Sequence, residues 1–193
     1  MKLLLTAFDP FGGAAMNPAL EAVKRVSDSV CGVEILKLEV PTVFDEAIAV
    51  VTEAIDANLP DAVLCVGQAG GRAALTVERV AINVDDARIP DNWGKQPVDR
   101  PIREAGLPAA VSNSAGTFVC NHLMYGVLYH LEHRGMNARA GFLHVPFDPS
   151  QTEGRGDNLP SMCREDMVRG IEAAIAVIAC NDRDIHTIEG TIQ

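Results

Sequence analysis

The sequence predicts a single α/β domain, residues 1–193, built on a largely parallel sheet. Short apolar runs alternate with stretches that repeat at a helical period, the pattern of strand–helix–strand units. Two of the runs stop abruptly at glycine-rich loops, as strands that feed ligand-binding turns do. The length of 193 residues, 48% apolar and 22% charged, suits one domain with one sizeable core. Aromatic residues make up only 5%, so Ala, Val, Ile and Leu must fill that core.

Leu3 to Ala7 reads as a buried first strand that ends at Phe8-Asp9-Pro10-Phe11-Gly12-Gly13. A helix follows with Asn17 as N-cap and Pro18 at its first position, where a missing N–H costs nothing. Val33 to Val40 is a second strand. Thr42 is placed to cap the next helix, whose apolar positions are Phe44, Ile48, Val51 and Ile55. Ala62 to Val66 is a strand stopped by Gly67-Gln68-Ala69-Gly70-Gly71. Leu75 to Val84 is read as a longer one, with Glu78, Val80, Ile82 and Val84 on one face. Pro90, Gly94, Pro97, Pro101, Gly106 and Pro108 then mark an irregular stretch. Ala110 to Ser114 is a strand, and a helix from Thr117 to about His133 turns Val119, Leu123, Val127 and Leu131 inward. Ala140 to Val145 is the next strand. A final helix opening near Ser161 buries Val168, Ile171, Ile175 and Ile178.

A formal charge of −10 and no Lys/Arg cluster make nucleic acid a poor partner. The five cysteines form no CxxC pair, which fits neither a disulfide framework nor a zinc knuckle. The run at Leu3 is too short for a signal peptide, and no apolar stretch approaches the ~20 residues of a membrane span. The expectation is a reduced, cytoplasmic compartment.

Ligands of open α/β sheets bind at the carboxyl ends of the parallel strands. The Phe8–Gly13 loop, the Gly67–Gly71 loop, Cys120 in a first helical turn and His144 at a strand end all fall there. A helix start favours a thiolate, and a neighbouring imidazolium would favour it further, so Cys120 is a candidate nucleophile. Most cysteines are simply small core residues, and Cys31, Cys65, Cys163 and Cys180 are read that way. His144 alone could equally be a satisfied core histidine. Glu78 on an apolar face must be paired, either with a histidine or with Arg79 or Arg88. His122, His130 and His133 lack further ligands at metal spacing and read as solvated surface, so no metal is expected. Neither glycine cluster matches a phosphate-binding pattern.

Five segments taken together resemble the pyroglutamyl peptidase I (pyrrolidone carboxyl peptidase) family of cysteine peptidases. They are Phe8–Gly13 with Asn17-Pro18, Gly67–Arg72, Glu78–Asn83 through Ala87–Asn92, Ala115–His122 and Gly141–Pro146, in order along nearly the whole chain. The resemblance implies a three-layer α/β/α sandwich with a mostly parallel, twisted sheet, a homotetramer and no cofactor. It puts a catalytic triad on Glu78, Cys120 and His144. A lactam pocket falls on Phe8, Phe11, Phe118 and Val119, with Asn17 and Gln68 as polar contacts and Arg88 near the oxyanion. The implied substrates are peptides or proteins with an N-terminal pyroglutamate. A thiol amidase of other acyl specificity and a non-catalytic binding module are the competing readings. The chain departs from the family pattern near 99–102, where a loop and most of a helix are missing. A parallel crossover normally needs a dozen or more residues, so an omitted segment is expected there rather than a true deletion.

Overall fold

In the computed structural model, which describes residues 1–84, 100–155 and 158–180, the apolar runs are strands and the periodic stretches are helices. In chain order they are β1 (Lys2–Phe8), α1 (Pro18–Arg25), β2 (Ser29–Val30), β3 (Val33–Val40), α2 (Glu46–Asn58), β4 (Ala62–Gln68) and β5 (Leu75–Glu78). There follow α3 (Arg100–Glu104), β6 (Ala109–Ser112), α4 (Val119–His133), β7 (Arg139–Val145), α5 (Pro149–Thr152) and α6 (Arg164–Cys180).

The strands form one sheet in the order β2-β3-β1-β4-β7-β5-β6. β1 lies parallel to β3 and β4, and β4 parallel to β7. β5 then runs antiparallel to β7 while pairing in parallel with β6, and β2 is antiparallel to β3. The sheet is mostly parallel, with a reversed pair at one edge.

Strand side chains alternate between faces, which divides the core in two. Leu3, Leu5, Leu64, Val66 and Leu143 pack on Leu20 and Val23 of α1 and on Met167, Ile171 and Ile175 of α6. Leu4, Phe8, Val63, Cys65 and Phe142 pack on Val51 and Ile55 of α2 and on Leu123 and Val127 of α4. Each fully buried Leu, Ile or Phe contributes about 1.5–3 kcal/mol through removal of apolar surface from water. These two cores are the two interfaces of an α/β/α sandwich. A Cβ on Gly126 of α4 would run into Ile48 of α2, so the glycine lets the two helices close together.

Several elements differ from their sequence expectation. β5 ends at Glu78, because β6 ends at Ser112 and the Arg79 N–H to Ser112 O bond of 2.8 Å is the last rung between them. Val80, Ile82 and Val84 are therefore 42%, 42% and 53% exposed rather than buried. The segment is held instead by a helix side chain. Asn121 accepts from the Ile82 N–H at 2.9 Å and donates to Ile82 O at 2.8 Å and Val84 O at 2.9 Å. Thr42 does not cap α2, which starts later, after Asp45. Its N–H and hydroxyl donate to Asp9 Oδ1 at 2.8 and 2.7 Å, tying the loop after β1 to the end of β3. The last helix opens at Arg164 because Ser161 forms a bridge with Phe147. Cys31, Cys163 and Cys180 are exposed and only Cys65 is core. His122 is not solvated surface either: its ring stands edge-on to Phe44, centroids 5.1 Å apart, and accepts the Asp45 N–H at 3.0 Å. The expectations for Pro90, Gly94, Pro97 and Arg88 lie outside the described residues.

Candidate active site

Three neighbouring strands set the floor of the site. β4 and β7 pair Gly67 with His144 and Cys65 with Phe142, while β5 opposes Glu78 to Phe142 and Thr76 to His144. Glu78 and His144 are thus diagonal neighbours on the sheet face that packs against α2 and α4. Glu78 Oε1 lies 2.7 Å from His144 Nδ1, and the two residues are 3% and 2% exposed. The same oxygen receives Arg72 Nη1 at 2.5 Å from the loop between β4 and β5. Glu78 Oε2 is buried without a hydrogen-bond partner among the described residues.

Cys120 comes down on this floor as the second residue of α4. Phe118 is extended and supplies no side-chain cap, and the first-turn N–H groups, that of Cys120 included, have no intrahelical acceptor. A Cβ on Gly67 would lie 3.0 Å from Cys120 Sγ and 2.9 Å from Phe142 Cζ. The strand must lack a side chain here for the sulfur to sit beside the imidazole's row.

Burial would push the Glu78 carboxyl up, but its hydrogen bond to His144 and the charges around it win, holding it below the usual carboxylate range. Burial pushes His144 down, and the Arg72 charge adds to this; the Glu78 bond offsets only part. Burial and then the Glu78 charge push the Cys120 thiol up to about 12, against the opposing charge of Arg72. The resting site therefore holds a carboxylate, a neutral imidazole and a thiol. The carboxylate only accepts, so His144 carries its proton on Nδ1 and leaves Nε2 unprotonated. This differs from the thiolate expected at a helix start: desolvation outweighs the dipole, and an uncharged imidazole supplies no compensating charge.

Cys120 and His144 open into a cavity of about 390 Å³, a size suited to a small ligand. Phe8, Phe11, Phe118 and Gln68 line it. Phe44 braces Phe118 edge-on at 5.6 Å. Two expected contacts do not line it. Val119 is 1% exposed and belongs to the core on the α4 side. Asn17 is 1% exposed and spent on the backbone: Oδ1 accepts from Ala19 N–H at 3.0 Å and Nδ2 donates to Asp9 O at 3.1 Å. Glu78 stands behind His144 rather than in the cavity.

Sequence reasoning missed three residues. Phe147 lines the cavity with its ring lying directly over Gly70, where a Cβ would collide with it. Among the described residues Arg72 is the cation on Glu78, where the sequence points to Arg79 or Arg88. Its position two residues after Gly70 in a loop at a strand end was the available signal. Gln151 holds Gln68, with Gln68 Nε2 donating to its Oε1 at 3.1 Å. Among the described residues no group of three His, Cys, Asp or Glu could hold a metal, and no helix is long and apolar enough to cross a membrane.

Comparison with known proteins points the same way. The family model described as pyroglutamyl peptidase matches residues 1–105 and 100–181. A pyrrolidone-carboxylate peptidase of Clostridium perfringens is 48% identical over 213 aligned residues, covering 100% of both chains. One from Streptococcus suis is 51% identical over 206, covering 95% of each. The crystal structure of pyroglutamyl peptidase I from Bacillus amyloliquefaciens superposes with a TM-score of 0.86 at 42% identity, covering 96% of this chain and 98% of that one. The pyrrolidone carboxyl peptidase of Thermococcus litoralis gives 0.83 at 32% identity, covering 96% and 99%. Spreading 193 residues over 213 aligned positions leaves at least 20 positions of the Clostridium protein without a counterpart. The two stretches matched by the family model meet at 100–105, within and just after α3. Matched over nearly its whole length, this chain belongs to the pyroglutamyl peptidase family.

Proposed function

We propose that the protein hydrolyses the bond after an N-terminal pyroglutamate, with Cys120 as nucleophile, His144 as base and then acid, and Glu78 orienting the imidazole. The observation that carries this reading is the 2.7 Å Glu78–His144 bond behind a cavity that Cys120 and His144 share. Pyroglutamate is a neutral, flat lactam, and Phe8, Phe11, Phe118 and Phe147 give it an apolar slot. As Cys120 Sγ attacks the scissile carbonyl, its proton passes to His144 Nε2. The Cys120 N–H at the helix start is the donor for the resulting oxyanion, the role the family resemblance also gives to Arg88. The C–N bond breaks as His144 returns the proton to the departing amine. Water, deprotonated by His144, then hydrolyses the thioester and frees pyroglutamate and the thiol. Glu78 stabilises the transient imidazolium throughout.

The test is release of a fluorophore from a pyroglutamyl amide. Cys120→Ala should fold and lose turnover by at least a thousandfold; retained turnover would refute the nucleophile. A thiol amidase of different acyl specificity would keep that dependence but show no loss of pyroglutamyl preference on Phe11→Ala. The physiological substrates in this reading are blocked peptides in the cytoplasm, and the working assembly is a homotetramer. The exposed Val80, Ile82 and Val84 offer apolar surface for such an assembly, which light scattering measures directly. In this reading the shortened stretch falls near 99–102, and the intact mass of the purified chain tests whether residues are present there beyond the 193.

A further inference from the structure

We propose that Gln151 is a specificity-positioning residue: it holds the Gln68 amide with its carbonyl free for the cavity, so the site takes a ring that donates a hydrogen bond. The proposal rests on reading Gln68 as a substrate contact and says what sets the polarity of that contact.

A backbone donor fixes the orientation. The Asp148 N–H can only donate, and it lies 3.0 Å from Gln151 Oε1, so that end of the Gln151 amide is oxygen. The same oxygen lies 3.1 Å from the Gln68 amide. Two carbonyl oxygens would repel at that distance, so Gln68 must turn its NH₂ toward Gln151. No amide rotation satisfies both contacts the other way round.

The support is rigid. Gln151 is the third residue of α5, in a reciprocal cap with Asp148. Asp148 is 4% exposed, accepts from Ser150 N–H at 2.9 Å, and receives Arg164 Nε at 2.6 Å. Gln68 is the last residue of β4, and the next N–H, that of Ala69, is tied to Val145 O at 2.9 Å. Both backbones are therefore fixed, and only side-chain rotation could reverse the polarity. No described residue donates to Gln68 Oε1. Of the other described polar side chains beside the cavity, Thr42 is bonded to Asp9 and Asn17 to the backbone. Among the described side chains, what remains for a ligand beside the catalytic pair is the Gln68 acceptor. Its natural complement is the N–H of a lactam, and a ring with oxygen or CH₂ in that place leaves the acceptor buried and unpaired.

The experiment compares two fluorogenic amides, the pyroglutamyl one and its 3-oxocyclopentanecarbonyl analogue, in which CH₂ replaces the ring N–H. Wild type should favour the lactam by about tenfold or more in kcat/KM. In Gln151→Met, with similar length and no acceptor, the preference should shrink to about two- to threefold through a raised KM, with kcat within twofold. Gln151→Glu keeps an oxygen for both donors and should keep the preference. An undiminished preference in Gln151→Met overturns the proposal, as does an equal kcat loss on both amides, which would reduce Gln151 to a helix cap. Gln68→Leu separates the two levels. If it too leaves the preference intact, the pocket reading fails; if it abolishes the preference while Gln151→Met does not, only the role of Gln151 fails.

Discussion

Gly67→Ala tests the placement of the proposed nucleophile, Cys120, with one methyl group. Gly67 lies within β4 in a backbone conformation any residue can adopt, so the change adds bulk and no torsional strain. The new Cβ would stand 2.9 Å from Phe142 Cζ and 3.0 Å from Cys120 Sγ, both well inside contact distance. Phe142 is 0% exposed, with the Phe8 and His144 rings at 6.4 and 4.8 Å, and has little room to withdraw. The sulfur is therefore the atom that yields, by about half an ångström. Misplacement by 1 Å costs roughly a hundredfold, so kcat should fall about tenfold or more. Overpacking costs about 1–3 kcal/mol, which lowers Tm by roughly 2–10 °C in a domain of this size. Steady-state cleavage of a pyroglutamyl amide and a thermal melt read the two effects. Gly141→Ala on β7 is the control, because its Cβ would meet nothing within 4 Å. Activity within twofold of wild type and an unchanged melt for Gly67→Ala would show that the sulfur is not where the strand forces it to be.

Three further outcomes follow from the same geometry. Inactivation by iodoacetamide should accelerate about tenfold per pH unit beyond pH 9, since burial holds the Cys120 thiol up to about 12; a plateau near neutral pH would reveal a resting thiolate. Inactivation is the readout, because exposed Cys31, Cys163 and Cys180 will also take up label. Arg72 pushes His144 down, so Arg72→Gln should move the acidic limb of kcat/KM, set by protonation of His144, to higher pH, and Arg72→Lys should leave it in place. An unmoved limb in Arg72→Gln would remove Arg72 from the electrostatics of the base. Asn17→Ala should cost about 1 kcal/mol in a denaturant melt, as lost N-caps do, with KM unchanged; a raised KM would make Asn17 a ligand contact after all.

The alternation of apolar runs and helical periods was enough to read most strands and helices, because two buried faces demand it. Glu78, Cys120 and His144 were legible for the same reason: a carboxylate, a thiol and an imidazole at strand or helix ends are conspicuous among apolar neighbours. Reversal of β5 was not legible. A strand reads alike in either direction, and the fact that Glu78 meets His144 diagonally depends on the antiparallel register. Val80, Ile82 and Val84 alternate as a half-buried strand would, yet the ladder ends where β6 ends, a tertiary fact that no local pattern carries. Thr42 and Asn17 show a second limit. Asn17 caps α1 as its place before Pro18 predicts, but its second bond, to Asp9 O, and the meeting of Thr42 with the Asp9 carboxylate were decided by loops closing across the sheet.

The protonation of the resting site follows from how much charge its burial tolerates. A thiolate–imidazolium pair would add two charges to the Glu78–Arg72 pair already present, and each desolvated ion costs several kcal/mol. A thiol beside a neutral imidazole adds none. In the proposed mechanism, attack on the substrate moves a proton within the site, from sulfur to His144, so that positive charge appears beside Glu78 just as negative charge appears on the carbonyl oxygen. In the same mechanism that oxygen forms next to the sulfur, at the open N–H groups of α4. The helix start, expected from the sequence to stabilise a resting thiolate, in this mechanism acts instead on the oxyanion, where charge exists only during the reaction. Stabilisation confined to that moment lowers the barrier without also lowering the ground state.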